Sequence, residues 1–104
     1  MYYIYMLRCE DNSIYTGITT DVEHRMKEHF TKVNGAKYTK SHTPKMLEAV
    51  WQTENRAEAC KLEYHIKRLA KRKKENLITK DNLQEVLGEI VDCKQYKRLE
   101  NIVF

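Results

Sequence analysis

The first thirty residues constrain the fold more than any other part of the chain. Residues 2–8 (Tyr-Tyr-Ile-Tyr-Met-Leu-Arg) are aromatic and aliphatic, with strong strand preference. Asp11-Asn12-Ser13 is a turn cluster. Ile14-Tyr15-Thr16 returns as a second short strand closed by Gly17, so the segment reads as a β-hairpin. A helix follows almost at once. Thr20 with Glu23 has the spacing of a capping box, and Val22, Met26 and Phe30 then recur every four residues as a core stripe. Arg25 and His29, also four apart, share a neighbouring face. Gly17 is expected to let the strand turn tightly into this helix.

The remainder extends the pattern. Residues 31–44 are polar and basic, a surface loop suited to touching a ligand. Met46–Trp51 reads as a third strand. A long helix is predicted from about Arg56 to Glu75, capped by Asn55 or Thr53, with Ala59, Leu62, Ile66, Leu69 and Ala70 as its apolar stripe. Asp81 is expected to cap a short helix bearing Leu83, Val86, Leu87 and Ile90. The apolar Ile102-Val103-Phe104 is expected to pack back on the domain. The fold class is therefore α+β: a three-stranded antiparallel sheet flanked by helices, in the order β-β-α-β-α-α.

Composition removes several function classes. The 104 residues suit one compact unit. No apolar run approaches the ~20 residues of a membrane span. Cys9, Cys60 and Cys93 are odd in number and lack Cys-x-x-Cys spacing, which argues against a disulfide framework or a zinc ribbon. Reduced thiols and no export signal point to the cytoplasm. The net charge of +4 is concentrated: residues 61–78 carry seven basic and two acidic side chains, residues 1–60 balance, and residues 79–104 carry one net negative charge. Such a stripe attracts phosphates, or is a solvated helix face.

Tyr3-Ile4-Tyr5, then Tyr15-Thr16-Gly17 ten residues after Tyr5, then Arg25, His29 and Glu63, together resemble the GIY-YIG nuclease domain. Tyr3 stands where the first motif has Gly, and Thr16 where the second has Ile. Gly35-Ala36-Lys37-Tyr38-Thr39 looks like the loop of its small stand-alone bacterial members, the YazA/YhbQ-like group, and of the nuclease subunit of eukaryotic structure-specific endonucleases. The resemblance covers residues 2–78. It implies a nuclease unit over 1–78, with 79–104 as a helical extension packed on it.

The resemblance implies a metal-dependent endonuclease that hydrolyses DNA phosphodiester bonds by structure-based recognition, as in repair or recombination. Glu63 would bind one divalent ion, Mg²⁺ or Mn²⁺, a metal often held by a single carboxylate and waters. Taken by itself, Glu63 reads first as a surface partner of Lys67, four residues on, as most such helix pairs are. Arg25 would stabilise charge on the phosphorane-like species, and its fork suits phosphate oxygens. His29 would relay a proton or hold the base in place. Tyr5 or Tyr15 would take the proton of the attacking water. Asn76, thirteen residues past Glu63, is a support position.

Lys37, Lys40, Lys67, Lys71 and Lys74 would track phosphates, together with Arg68, Arg72 and Lys73. Gly17 would leave room for the substrate backbone. Tyr38 would stack on an unpaired base, and Thr39 belongs to the same ligand-facing loop. DNA is favoured over RNA, no membrane partner is expected, and a protein partner would supply specificity to a monomer or weak dimer. Two alternatives stand beside this reading. One is a nucleic-acid-binding module that has kept the fold and lost the activity. The other is an interaction domain that docks on an acidic partner through its basic helix.

Overall fold

The computed structural model describes residues 1–31 and 35–100. Strands β1 (Tyr2–Cys9) and β2 (Ile14–Thr19) form the hairpin. Helices α1 (Val22–Thr31) and α2 (Lys37–Ser41) follow, then strand β3 (Pro44–Thr53). Helices α3 (Arg56–Lys67), α4 (Lys71–Lys80) and α5 (Leu83–Leu87) lead through a 3-10 turn at Cys93–Gln95 to strand β4 (Lys97–Leu99). The strands form one antiparallel sheet in the order β2-β1-β3-β4.

Alternation along β1 assigns the two faces of the sheet. Ile4 and Met6 join Ala49 and Trp51 against Leu62, Ile66, Leu77 and Leu83 of the later helices. Tyr5 and Leu7 face the other way, with Val50 and with Met26 of α1. The sheet therefore lies between α1 on one side and α3, α4 and α5 on the other. Between Met6 and Leu7, β3 carries a bulge: Met6 pairs with Ala49 and Leu7 with Leu47, so Glu48 is the extra residue. Its carboxylate receives Arg8 Nε at 3.0 Å.

Several expectations are corrected. The sheet has four strands, because residues 97–99 add to the free edge of β3. That strand also closes α4: Arg98 Nη1 donates to Leu77 O at 2.9 Å and Nη2 to Ile78 O at 3.2 Å, two carbonyls of the last turn. The helix expected over 56–75 is two helices. Ala70 is extended (φ −63, ψ 151), which breaks the run and starts α4. Residues 31–44 contain the one-turn helix α2 rather than only loop. Asp21, not Thr20, starts α1, since its Oδ1 accepts from the His24 amide at 3.0 Å.

Within the helices, Phe30 is 46% exposed and His29 takes the buried place on α1. Asp81 ends α4 in the left-handed region (φ 49) instead of capping α5, and Asn82 precedes α5 without a side-chain cap. Ile90 is half exposed. The expectation for Ile102-Val103-Phe104 lies outside the described residues.

Candidate active site

The site forms where β1, β2, α1 and α2 meet beside the open edge of β2. Tyr5 and Gly17 are cross-strand partners on the α1 side of the sheet. Gly17 is mid-strand rather than at a turn, so its expected role is corrected. A Cβ there would stand 2.6 Å from Tyr5 Oη and 2.7 Å from Tyr5 Cζ. The residue is glycine because the end of the Tyr5 ring lies directly over it.

The buried Tyr5 phenol reaches α1. Its Oη lies 2.7 Å from His29 Nε2, and His29 Nδ1 lies 2.8 Å from Thr39 Oγ1 on α2. Thr39 Oγ1 donates in turn to Ala36 O at 3.0 Å. The Tyr15 ring packs edge-on to His29 at 5.5 Å and tilted to Tyr5 at 6.1 Å between centroids. The Arg25 guanidinium hydrogen-bonds the Tyr5 phenol and pairs with Glu28, with Nη1 to Oε1 at 3.2 Å.

The electrostatics follow from this packing. Burial, and a negative charge on nearby Tyr15, push the Tyr5 phenol well above its ordinary value, against the opposing pull of Arg25. Burial, then the positive charge of Arg25, pull His29 down to about 4. His29 is therefore neutral at neutral pH.

From the other side of the sheet, α3 reaches round the edge of β2. Lys67 Nζ lies 5.6 Å from the Tyr15 ring centroid and 3.5 Å from Glu63 Oε2. Lys67 therefore links Glu63 to the tyrosines. Glu63 does pair with Lys67, as its spacing allows, but 3.5 Å is longer than a good hydrogen bond and the pair is partly exposed. Among the described residues no three His, Cys, Asp or Glu side chains gather into a metal cage. The donor set is one carboxylate, and it suits only a cation that keeps most of its shell in water and substrate oxygens.

The expected binding residues divide. Lys37, Lys40, Lys67 and Lys71 are exposed, and Lys74 is half-buried, its ammonium pulled down by burial and by Lys67. Lys67 ends α3 whereas Lys71 and Lys74 open α4, so they do not share one helix face. Thr39 is 1% exposed and is corrected from a ligand-facing to an interior residue. Tyr38 is likewise corrected as an open platform. One of its faces stacks on His42 at 4.0 Å and the other lies toward Tyr15 at 5.6 Å. Asn76 is half-buried, and its side chain makes no hydrogen bond among the described residues.

Two features had no signal in the motif. His42 extends the aromatic pile and is held by Asp11, with Nδ1 2.7 Å from Oδ2. Arg8 grips Glu75 of α4 with both prongs of its fork, at 2.6 and 2.5 Å, and also reaches Asn12 Oδ1 at 3.1 Å. Lys71 Nζ donates to Asn12 O at 2.5 Å in the same turn. These contacts fix α4 to the hairpin turn and set Lys71 and Lys74 beside the pile. Arg8 and Glu75 lie 67 residues apart, so no local spacing announces them.

Comparison with known proteins is consistent with the geometry. Residues 1–76 match the family described as the GIY-YIG catalytic domain. The UPF0213 protein FN1575 of Fusobacterium nucleatum is 53% identical over 79 residues, 76% of this chain and 78% of that protein. The UPF0213 protein YhbQ of Salmonella arizonae is 39% identical over 100 residues, 96% of each chain. The solution structure of the UPF0213 protein BH0048 from Bacillus halodurans superposes with a TM-score of 0.51 at 42% identity, over 86% of this chain and 97% of that one. None of these names states an activity.

Proposed function

This chain belongs to the GIY-YIG catalytic domain family, and from that premise we propose that it is a divalent-metal-dependent endonuclease acting on DNA. One observation carries the reading. Tyr5, Tyr15, Arg25 and His29 come from three elements and converge on the Tyr5 phenol, with Glu63 brought alongside by Lys67.

In the proposed reaction a water oxygen attacks phosphorus, the P–O bond on the far side breaks, and the leaving oxygen departs in line. Tyr15, whose ring centroid lies 5.6 Å from Lys67 Nζ, takes the proton of the water on its phenol oxygen as it releases its own to solvent. Tyr5 is the poorer base, since its buried Oη is already engaged by His29 and its ionisation is opposed by burial. Arg25 offers a fixed charge to the phosphoryl oxygens as they gain negative charge. Glu63 would hold Mg²⁺ or Mn²⁺, which supplies Lewis acidity at the phosphoryl and leaving oxygens.

Recognition is by shape. The cations of α2, the end of α3 and the start of α4 contact phosphates, which position without reading sequence. Residues 1–78 carry the nuclease unit, with 79–104 as its extension, in a cytoplasmic monomer or weak dimer whose specificity a protein partner sharpens. A role in repair or recombination fits such a substrate.

A nicking assay on labelled single-stranded, duplex and branched DNA tests this, with Mg²⁺, Mn²⁺ or EDTA and with Glu63→Ala and Arg25→Ala checked for folding by circular dichroism. Metal-dependent cleavage by wild type, lost in both folded variants while Glu63→Ala still binds DNA, is expected. DNA binding without cleavage, unchanged in Glu63→Ala, would refute it and leave a binding module of the same fold.

A further inference from the structure

We propose that Thr39 is a positioning residue of the site: it holds His29 in the Nδ1–H tautomer and so aims the Nε2 lone pair at the Tyr5 phenol. The effect on cleavage rests on the nuclease reading above, whereas the tautomer itself does not.

The assignment follows from counting protons. A carbonyl oxygen only accepts, so the single proton of the Thr39 hydroxyl is committed to Ala36 O at 3.0 Å. Toward His29 Nδ1, 2.8 Å away, Thr39 Oγ1 then accepts, and Nδ1 must carry hydrogen. A neutral imidazole has one N–H, so Nε2 is bare. The Tyr5 hydroxyl, 2.7 Å from Nε2, must therefore donate. Every bond in the line runs one way: Tyr5 to His29, His29 to Thr39, Thr39 to the backbone. Its last acceptor is an amide carbonyl, which has no proton to pass on. The line holds groups in place and does not carry protons to solvent.

The direction matters at the other end. With its proton on the His29 side, Tyr5 Oη meets the Arg25 guanidinium through a lone pair. The opposite tautomer would turn the Tyr5 proton away from His29, to the side where the Arg25 guanidinium and Tyr15 stand. Packing supports the arrangement. Thr39 is 1% and His29 0% exposed, so water does not replace either partner. A Cβ on Gly35 would stand 3.2 Å from Thr39 Oγ1 and 3.2 Å from Glu28 O, so the glycine leaves the hydroxyl its room.

The test is ¹⁵N–¹H correlation of the imidazole nitrogens in the full chain with labelled histidine. The His29 signals are assigned by their absence in His29→Gln, and the spectra are taken for wild type, Thr39→Ser and Thr39→Val at neutral pH. Wild type and Thr39→Ser should show neutral His29 protonated on Nδ1. Thr39→Val should move the tautomer ratio about tenfold toward Nε2–H, the worth of roughly one hydrogen bond. Nuclease activity should fall in Thr39→Val and return in Thr39→Ser.

A wild-type His29 protonated on Nε2, or charged, overturns the inference. So does a folded Thr39→Val with an unchanged tautomer. If Thr39→Val does not fold, the wild-type and Thr39→Ser spectra decide alone. A chain with the expected tautomers and no cleavage refutes the nuclease reading and leaves the positioning of His29 intact.

Discussion

Replacing Gly17 by alanine puts a methyl group where Tyr5 already is. The new Cβ would stand 2.6 Å from Tyr5 Oη, against an ordinary contact of 3.4 Å or more, so the ring end must recede by the difference, about 0.8 Å. It has nowhere easy to go. Tyr5 is 1% exposed, and its Oη is fixed 2.7 Å from His29. A displacement of that size, toward or away from His29, takes the contact out of hydrogen-bonding range. Overpacking of this kind costs about 1–3 kcal/mol, and the lost bond about 1 kcal/mol more. At ~4–8 °C per kcal/mol for a domain of this size, the melting temperature should fall by about 10 °C or more.

Thermal melts followed by circular dichroism read this directly, in wild type and in a Tyr5→Leu background. Leucine removes both Oη and Cζ, the two atoms nearest the added methyl. Gly17→Ala should therefore cost at least about 1 kcal/mol less in that background, a coupling of the size expected for side chains in contact. A melting point within about 2 °C of wild type, or an equal cost in both backgrounds, would refute the close-approach argument.

Three further outcomes are expected. Among the described residues Thr16 Oγ1 is buried with no hydrogen-bond partner, so Thr16→Val should raise stability by about 1 kcal/mol, read as a higher melting temperature. His29 titrates near 6.5 when unfolded and at about 4 when folded, so the unfolded chain binds the extra proton first; stability should fall as pH drops from about 6.5 to 4, and equilibrium urea melts should show that slope flattened in His29→Gln. Lys74→Ala should lower the slope of log affinity for DNA against log salt by about one, measured by fluorescence anisotropy, whereas an unchanged slope would remove Lys74 from the phosphate contacts.

The elements that sequence reveals here are those with local signals. The hairpin is announced by aromatic and β-branched runs around Asp11-Asn12-Ser13, and α3 by Asn55, whose Oδ1 accepts from the Ala57 amide at 2.7 Å. The motif spacing brought Tyr5, Tyr15, Arg25 and His29 to one place, and the structure shows them together. What was not legible depends on distant partners. Residues 71–80 continue the helical composition of α3, and only the turn at Ala70 separates them. Lys97–Leu99 is too short to declare itself a strand without β3 beside it. Thr39 reads as polar and exposed because its partner, His29, lies ten residues away on another helix. Phe30 outranked His29 on hydrophobicity, yet the buried imidazole has two hydrogen-bond partners that offset its burial.

The grip of Arg8 on Glu75 separates two things that a basic helix usually encodes together. Where α4 lies is written in Arg8, Glu75 and the buried Leu77. What α4 offers to an anion is written in Lys71, Arg72, Lys73 and Lys74, and among the described residues only Lys71 of these has a bond to the hairpin turn. Substitutions among Arg72, Lys73 and Lys74 can therefore raise or lower the attraction for a polyanion in unit steps while the helix keeps its address. A lineage that needs a weaker or stronger hold on its substrate can vary those residues without rebuilding the tyrosines they stand beside.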